Sequence, residues 1–288
     1  FNIGGEGQAY VGGLGVGLVC LVFDQYVVGF LVTILAILGS VIFGAFWGII
    51  PGYLQAKRGS HIVITTIMFN FIAAALMVYL LVNVIIEPGQ MSPETRDFAS
   101  GVGLVQIHIL AKYLGLEMAM SPLNLSFIVA LTVSVGFWFL VWRTKFGYEV
   151  RSLGHSETAA IYAGIKVSST IIIVMAISGG LAGLVAINEL LGVHNKLLLG
   201  FTAGYGFTGI AVALMGRNHP VGIFLASLLF GALYQGGTEL DFEFSSITRE
   251  MVLLIQGLII LFSGALAYML NPLVERIYIK YYGNYNNA

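Results

Sequence analysis

The sequence predicts an all-α protein: a polytopic transmembrane helical bundle with two glycine-interrupted segments arranged as an inverted repeat. Three observations predict it. Hydrophobic residues fill 58% of the 288 positions and charged residues only 9%, against roughly 25% charged in soluble domains. The uncharged stretches are long, each near or above the ~20 apolar residues that cross a bilayer core. They are also continuous in Leu, Ile, Val, Phe, Ala and Gly, without the alternation of a membrane β-barrel.

In chain order, a first segment over 7–23 follows the opening stretch FNIGGEGQ. The uncharged runs 25–56, 59–86, 118–142, 167–188, 197–216, 218–238 and 251–274 supply the others, about eight in all. Residues 1–288 are expected to form a single membrane domain. A chain that opens on Phe1 leads to the expectation of a truncated start. Ser40, Gly44 and Gly48 form a small-residue stripe suited to close helix packing. Lysines and arginines orient the bundle. With the loop QAKRGSH inside, nine of the thirteen cations are cytoplasmic (Lys57, Arg58, Arg143, Lys145, Arg151, Lys166, Arg217, Arg276 and Lys280), and Arg96, Lys112, Lys196 and Arg249 are outside. That is the positive-inside bias.

Two loops stand out. The external loop 87–124 carries its own apolar pattern, GLVQIHILAKYLG, which suits a short interfacial helix. It reads either as a cap over the bundle or as a docking surface. The cytoplasmic loop 143–169 centres on SETAAIYAG. Ser156 before Glu157 is a helix-capping pair, and Thr158, Ala159, Ala160 and Gly164 leave one side of that helix small.

Glycines also break two of the spans. Gly4, Gly5 and Gly7 interrupt the first; Gly204, Gly206 and Gly209 interrupt 197–216. Irregular backbone at membrane depth persists only where it is buried in protein or lines a cavity. The two segments run in opposite directions, the inverted-repeat pattern of transporters with a mid-membrane path. Glu6 lies in the first break, where bare burial in lipid would cost roughly 2.5 kcal/mol or more. Capping a broken helix through its unpaired N–H groups is the favoured role, ahead of direct solute contact. Asn2, Glu6, Gln8, Phe69, Asn70 and Thr208 are the candidates for a polar solute's path. For Asn70, as for Gln256, interhelical hydrogen bonding is the plainer alternative; for Phe69 and Phe71 it is aromatic packing.

Several functions are excluded. A net charge of −1 offers no basic surface for nucleic acid. Cys20 is the only cysteine, so no intrachain disulfide forms. His61, His155, His194 and His219 sit near predicted span ends and His108 in the external loop; no spacing suits a metal, and no cofactor is expected. The GYGFTG run at 204–209 matches G-x-G-x-x-G but has no preceding strand, so it is not a dinucleotide site. No Walker A motif occurs, and no catalytic constellation lies in or beside the spans. An ion-coupled secondary transporter needs paired intramembrane charges, and beyond Glu6 and Glu189 there are almost none.

ETAAIYAG resembles the E-A-A-x-x-x-G coupling loop of binding-protein-dependent ABC importer permeases, with one residue inserted. TKFGYEVRSLG and AAIYAGI, FNIGGEGQAYVGG and GFTGIAVALMGRNHPVG are similar to the ribose, nucleoside and branched-chain amino-acid branch of that family. The likeness is greatest to its simple-sugar and nucleoside members. The resemblance covers essentially the whole chain. It implies a permease subunit in membrane lipid, with further N-terminal helices. It also implies a second permease, identical or different, a cytoplasmic ATP-binding subunit and an external substrate-binding protein. Glu157, Ala159, Ala160 and Gly164 would then dock the ATPase. The solute implied is a nucleoside or simple sugar, with a branched-chain amino acid as the alternative.

The orientation yields a direct test. Residues 53–60, 144–166 and 271–288 are predicted to be cytoplasmic, with 87–124 and 239–248 external. With Cys20 replaced, an impermeant thiol reagent on intact cells should label Ser92→Cys and spare Ser156→Cys. The reverse pattern would invert the topology.

Overall fold

The computed structural model describes residues 2–113 and 115–243, together with 251, 254–255, 257–259 and 261–262. The expected span 251–274 is therefore described only in part. Gln256, Arg249 and the tail 271–288 lie outside the described residues.

The helices in order are α1 (Gly5–Phe23), α2 (Gly29–Arg58), α3 (Ile62–Asn83), α4 (Ile107–Tyr113), α5 (Ser126–Arg143), α6 (Lys145–His155), α7 (Glu157–Tyr162) and α8 (Val167–Gly183). A π-helical stretch, Ile187–His194, continues α8; α9 (Tyr205–Met215) and α10 (Pro220–Glu243) follow. Among the described residues six helices are long and apolar enough to cross a membrane: α1, α2, α3, α5, α8 with its continuation, and α10. The run 197–216 differs from expectation. Only its second half is helical, because Gly200, Ala203 and Gly204 take positive φ and turn the chain before α9 begins.

The chain divides into two compact units, 1–208 and 209–288. In the second, Val212 packs with Ala226 and Phe230. In the first, α2 lies along both α1 and α8, and small residues make the contact. A Cβ on Gly44 would collide with the carbonyl of Gly179, and one on Gly183 with that of Ser40. Side-chain-free positions let the backbones approach, which is how helices gain packing energy where lipid removes the hydrophobic drive. The stripe expected at Ser40, Gly44 and Gly48 thus meets Met175, Gly179 and Gly183. Outward faces carry Phe30, Leu38, Ile42, Phe46, Ile64 and Phe71, all exposed. Such apolar surface suits a lipid-facing exterior.

Past α8 the helix widens, and its end needs partners for unpaired carbonyls. The segment between α3 and α4 supplies them. Leu104 N–H donates to Leu191 O at 2.8 Å, Phe98 N–H to Asn195 O at 2.7 Å and Thr95 N–H to Leu197 O at 2.9 Å. Phe98 and Val102 enter the same core as Leu14, Val16, Cys20 and Leu190. This part of the 87–124 loop therefore packs onto the bundle. Asn124 ties the start of α5 to the widened stretch through Asn188 at 3.0 Å.

A buried ion pair anchors the segment, beside the pairing of Glu94 with Lys196 at 3.1 Å. Both terminal guanidinium nitrogens of Arg96 donate to the Asp24 carboxylate at 2.7 Å, and Ala99 N–H donates to it at 2.9 Å. The Asp24 side chain is fully buried. Hydrogen bonds from Arg96 hold its carboxyl below the usual range, against the opposite push of burial. A carboxyl lowered in the folded state stabilises above its unfolded pKa of about 3.9, and that gain is lost as pH falls through the folded value. The thermal midpoint of the purified protein should therefore drop additionally below about pH 4. Asp24→Asn should lack that extra drop and be less stable at pH 7 by roughly 1.5–3 kcal/mol. Equal midpoints for wild type and Asp24→Asn at pH 7 would rule out the anchor.

Candidate functional site at two broken helices

The site forms where two helices start inside the bundle. At the start of α1, the orphan N–H groups find side-chain acceptors. Gly4 N–H donates to Asn2 Oδ1 at 2.8 Å and Gly7 N–H to Asn70 Oδ1 at 2.9 Å. Asn70 also donates to Ile3 O at 2.9 Å, so one amide clamps two peptide groups of the broken segment. The start of α1 is thus capped by Asn2 and Asn70, and Glu6 is left for another task.

Glu6 reaches the other break. Its Oε1 accepts from the Thr202 hydroxyl at 2.6 Å and from Gly204 N–H at 3.1 Å; Oε2 accepts from Gly206 N–H at 2.8 Å. Those amides open α9, so one carboxylate in the first turn of α1 caps the helix that begins about 200 residues later. Two positive dipole ends meet, and the negative charge between them offsets their repulsion. The approach needs glycine: a Cβ on Gly206 would strike the backbone of Gly5 and Glu6. Thr202 is fully buried, and sequence reasoning missed it. Its only signal is its place two residues before the glycine break.

Around this centre the other candidates divide. Gln8 is buried, and its Oε1 accepts from Asn2 Nδ2 at 2.9 Å. The same Asn2 amide donates to Ser178 Oγ on α8 at 2.8 Å, a partner the sequence did not suggest. Phe69 packs edge-on against Trp47 at 5.4 Å, and its carbonyl accepts from Trp47 Nε1 at 3.3 Å. Thr208 is exposed and donates to Gly204 O at 3.3 Å. Asn2, Glu6, Gln8 and Asn70 therefore come together; Phe69 belongs to an aromatic pair beside them. Among the described residues no group of three His, Cys, Asp or Glu side chains is placed to hold a metal.

A separate lobe is built by α6 and α7. Thr144 caps α6 by accepting from Gly147 N–H at 3.0 Å, and Ser156 caps α7 by accepting from Ala159 N–H at 3.3 Å. Gly164, at φ 79°, closes α7, with its N–H on Ile161 O at 2.9 Å. Glu157, Ala159, Ile161, Tyr162 and Gly164 are exposed. Ala160 is not: it is 1% accessible, because it lies on the inner side of a one-and-a-half-turn helix. It packs the lobe, and does not present a surface.

A multi-pass helical bundle in which one carboxylate joins two helix starts, with a capped helical lobe between two spans, is the frame of a transport protein. The chain matches the family described as "Branched-chain amino acid transport system / permease component" over residues 1–264, and it belongs to that family. It is 35% identical over 280 residues to the guanosine ABC transporter permease protein NupP of Bacillus subtilis (strain 168), covering 96% of this chain and 77% of that protein. It is 32% identical to the glucose ABC transporter permease protein TsgB13 of Haloferax volcanii, covering 91% of this chain and 68% of that one. With the nucleoside ABC transporter permease protein NupB of Lactococcus lactis subsp. cremoris the identity is 32%, covering 91% and 71%. No solved structure matches. The protein is accordingly a transport component, multi-pass in the cytoplasmic membrane, and the family resemblance read from the coupling-loop and glycine motifs holds.

The Glu6 geometry predicts a graded series. Both carboxylate oxygens accept, so an amide puts its NH2 against a donor. Glu6→Gln should lose roughly 1–3 kcal/mol of stability, and Glu6→Leu more, because it strands all three donors. Thr202→Val should fall between wild type and Glu6→Leu. Thermal unfolding of the purified variants is the measurement. A Glu6→Leu protein as stable as wild type would remove the carboxylate from its capping role.

Proposed function

We propose that this chain is the membrane-spanning subunit of an ATP-driven importer for a neutral, polar, sugar-bearing solute, a nucleoside or simple sugar. It works with a second permease, the same or different, a cytoplasmic ATP-binding subunit and an external substrate-binding protein. The observation that carries the reading is family membership, together with relatives named for guanosine, nucleosides and glucose. The family description names branched-chain amino acids, but those relatives weigh toward nucleosides and sugars. The site's chemistry agrees. Helix N-termini are ready anion sites, and here Glu6 occupies the start of α9. That favours uncharged solutes over phosphates and carboxylates.

In this reading Asn2, Gln8 and Thr208 border the solute path, and Glu6 and Asn70 hold the broken helices that shape it. Phe69 lends an aromatic wall. Opening the path separates the starts of α1 and α9, so the three bonds of Glu6 resist the change until ATP-driven motion breaks them. The α6–α7 lobe receives that motion. Its exposed Glu157, Ala159, Ile161, Tyr162 and Gly164 are the face that seats on the ATPase. Ala160 supports them from within.

The complete complex in reconstituted vesicles provides the test. Ala159→Trp and Tyr162→Ala should leave expression and solute binding normal while uptake falls about tenfold or more relative to ATP hydrolysis, a coupling loss of ~1.4 kcal/mol. Wild-type uptake by both variants would place the docking face elsewhere. Guanosine and glucose uptake, measured side by side, decide the solute class.

A further inference from the structure

A groove of about 290 Å³ opens between α5, α6 and α8. Phe137 and Leu140 from α5, Phe146 and Val150 from α6, and Val174 and Ile177 from α8 line it. Among the described lining residues the one polar side chain is Ser178, whose hydroxyl already accepts from Asn2. A nucleoside or sugar there would strand its hydrogen-bonding groups against hydrocarbon, at a cost of kcal/mol per group. An alkyl chain strands none.

The groove is built into the fold. Gly147 sits so close to α5 that a Cβ would strike the carbonyls of Leu140 and Val141. Thr144 fixes the corner by donating to Leu140 O at 2.6 Å while it caps α6. The corner is also rich in cations, each close in sequence to a lining residue. Arg143 follows the α5 lining by two residues, Lys145 immediately precedes Phe146, and Arg151 immediately follows Val150. Residues 143–151 thus carry three cations and one carboxylate, Glu149, which lies 3.9 Å from Lys145. Lys145 is almost fully exposed, and the Arg143 guanidinium lies over Trp138 at 5.4 Å. Arginine paired with tryptophan at a span end suits the headgroup level of a bilayer.

We propose that this groove is a binding site for an anionic phospholipid of the inner leaflet. One acyl chain lies between α5, α6 and α8, and the phosphate is held by Arg143 and Lys145, with Arg151 nearby. Basic pockets between membrane helices on the cytoplasmic side favour such headgroups. The inference rests on the orientation proposed above, which puts the α5–α6 corner inside. The lipid would brace α5, which buries no residue of its own within the chain.

The test uses the complete transporter, purified with its partners and exchanged into vesicles of phosphatidylglycerol or phosphatidylcholine. Native mass spectrometry of the permease should show phosphatidylglycerol retained about tenfold over phosphatidylcholine. The double variant Arg143→Gln, Lys145→Gln should lose that preference, and Ile177→Trp, which fills the groove, should retain neither lipid there. A photo-crosslinker replacing Phe137 should capture lipid in the unmodified groove, which keeps the proposal open to refutation even if Ile177→Trp misfolds. Equal retention of the two lipids by wild type would overturn the inference. So would crosslinking of position 137 to another protein segment instead of lipid. Uptake by the same preparation reports separately on transport. Normal uptake without lipid preference removes the groove's role alone, whereas lipid preference without any uptake leaves the groove standing and sinks the importer reading.

Discussion

The central constraint of this membrane unit is the carboxylate of Glu6 between two helix starts. A helix start leaves its first N–H groups without partners inside the helix. Here both starts lie at one place. Asn2 and Asn70 satisfy α1, and Glu6 satisfies α9. Unscreened, the two positive ends would repel; the negative charge between them turns that repulsion into attraction. The glycines then become necessary, because the starts can meet only where Gly206 has no side chain.

The rest of the first unit is arranged to bring those starts together. The long α2 lies against α1 and α8 through backbone contacts at Gly12, Gly44, Gly179 and Gly183. Asn2 adds a polar bond from the first break to Ser178 on α8. The buried Asp24–Arg96 pair holds the segment before α4 over the core, and the N–H groups of Thr95, Phe98 and Leu104 in that segment satisfy carbonyls left by the widened end of α8. Packing and polar satisfaction therefore act at different depths: small residues along the helices, hydrogen-bonded groups at their ends and breaks.

The same division holds at the two helix starts and in the lobe. Glu6 reaches the start of α9 through three hydrogen bonds, from the Thr202 hydroxyl and from the N–H groups of Gly204 and Gly206, beside the buried Phe201 that packs edge-on against Tyr10 of α1. The α6–α7 lobe is a pair of short capped helices with few buried positions, Gly147 and Ala160 among them.

Composition and uncharged run length alone determined that this chain is a helical membrane protein, and its glycines marked where helices break. Those signals are local, since a bilayer demands an apolar run and a broken helix demands residues that tolerate it. The Ser156 cap was legible for the same reason, its partner being three residues away. The partners of polar groups were not. Glu6 looked like a cap for its own helix, yet its donors lie about 200 residues distant, a distance over which no periodicity or spacing carries information. Ala160 looked like surface beside Ala159, because small residues read alike whether they face a partner or the protein's own packing. The run 197–216 looked like a full span, because hydropathy does not register the positive φ angles that turn its first half. Only the tertiary structure decided these points, since hydrogen bonds and burial depend on which segments meet in space, and that is set by the packing of the whole bundle.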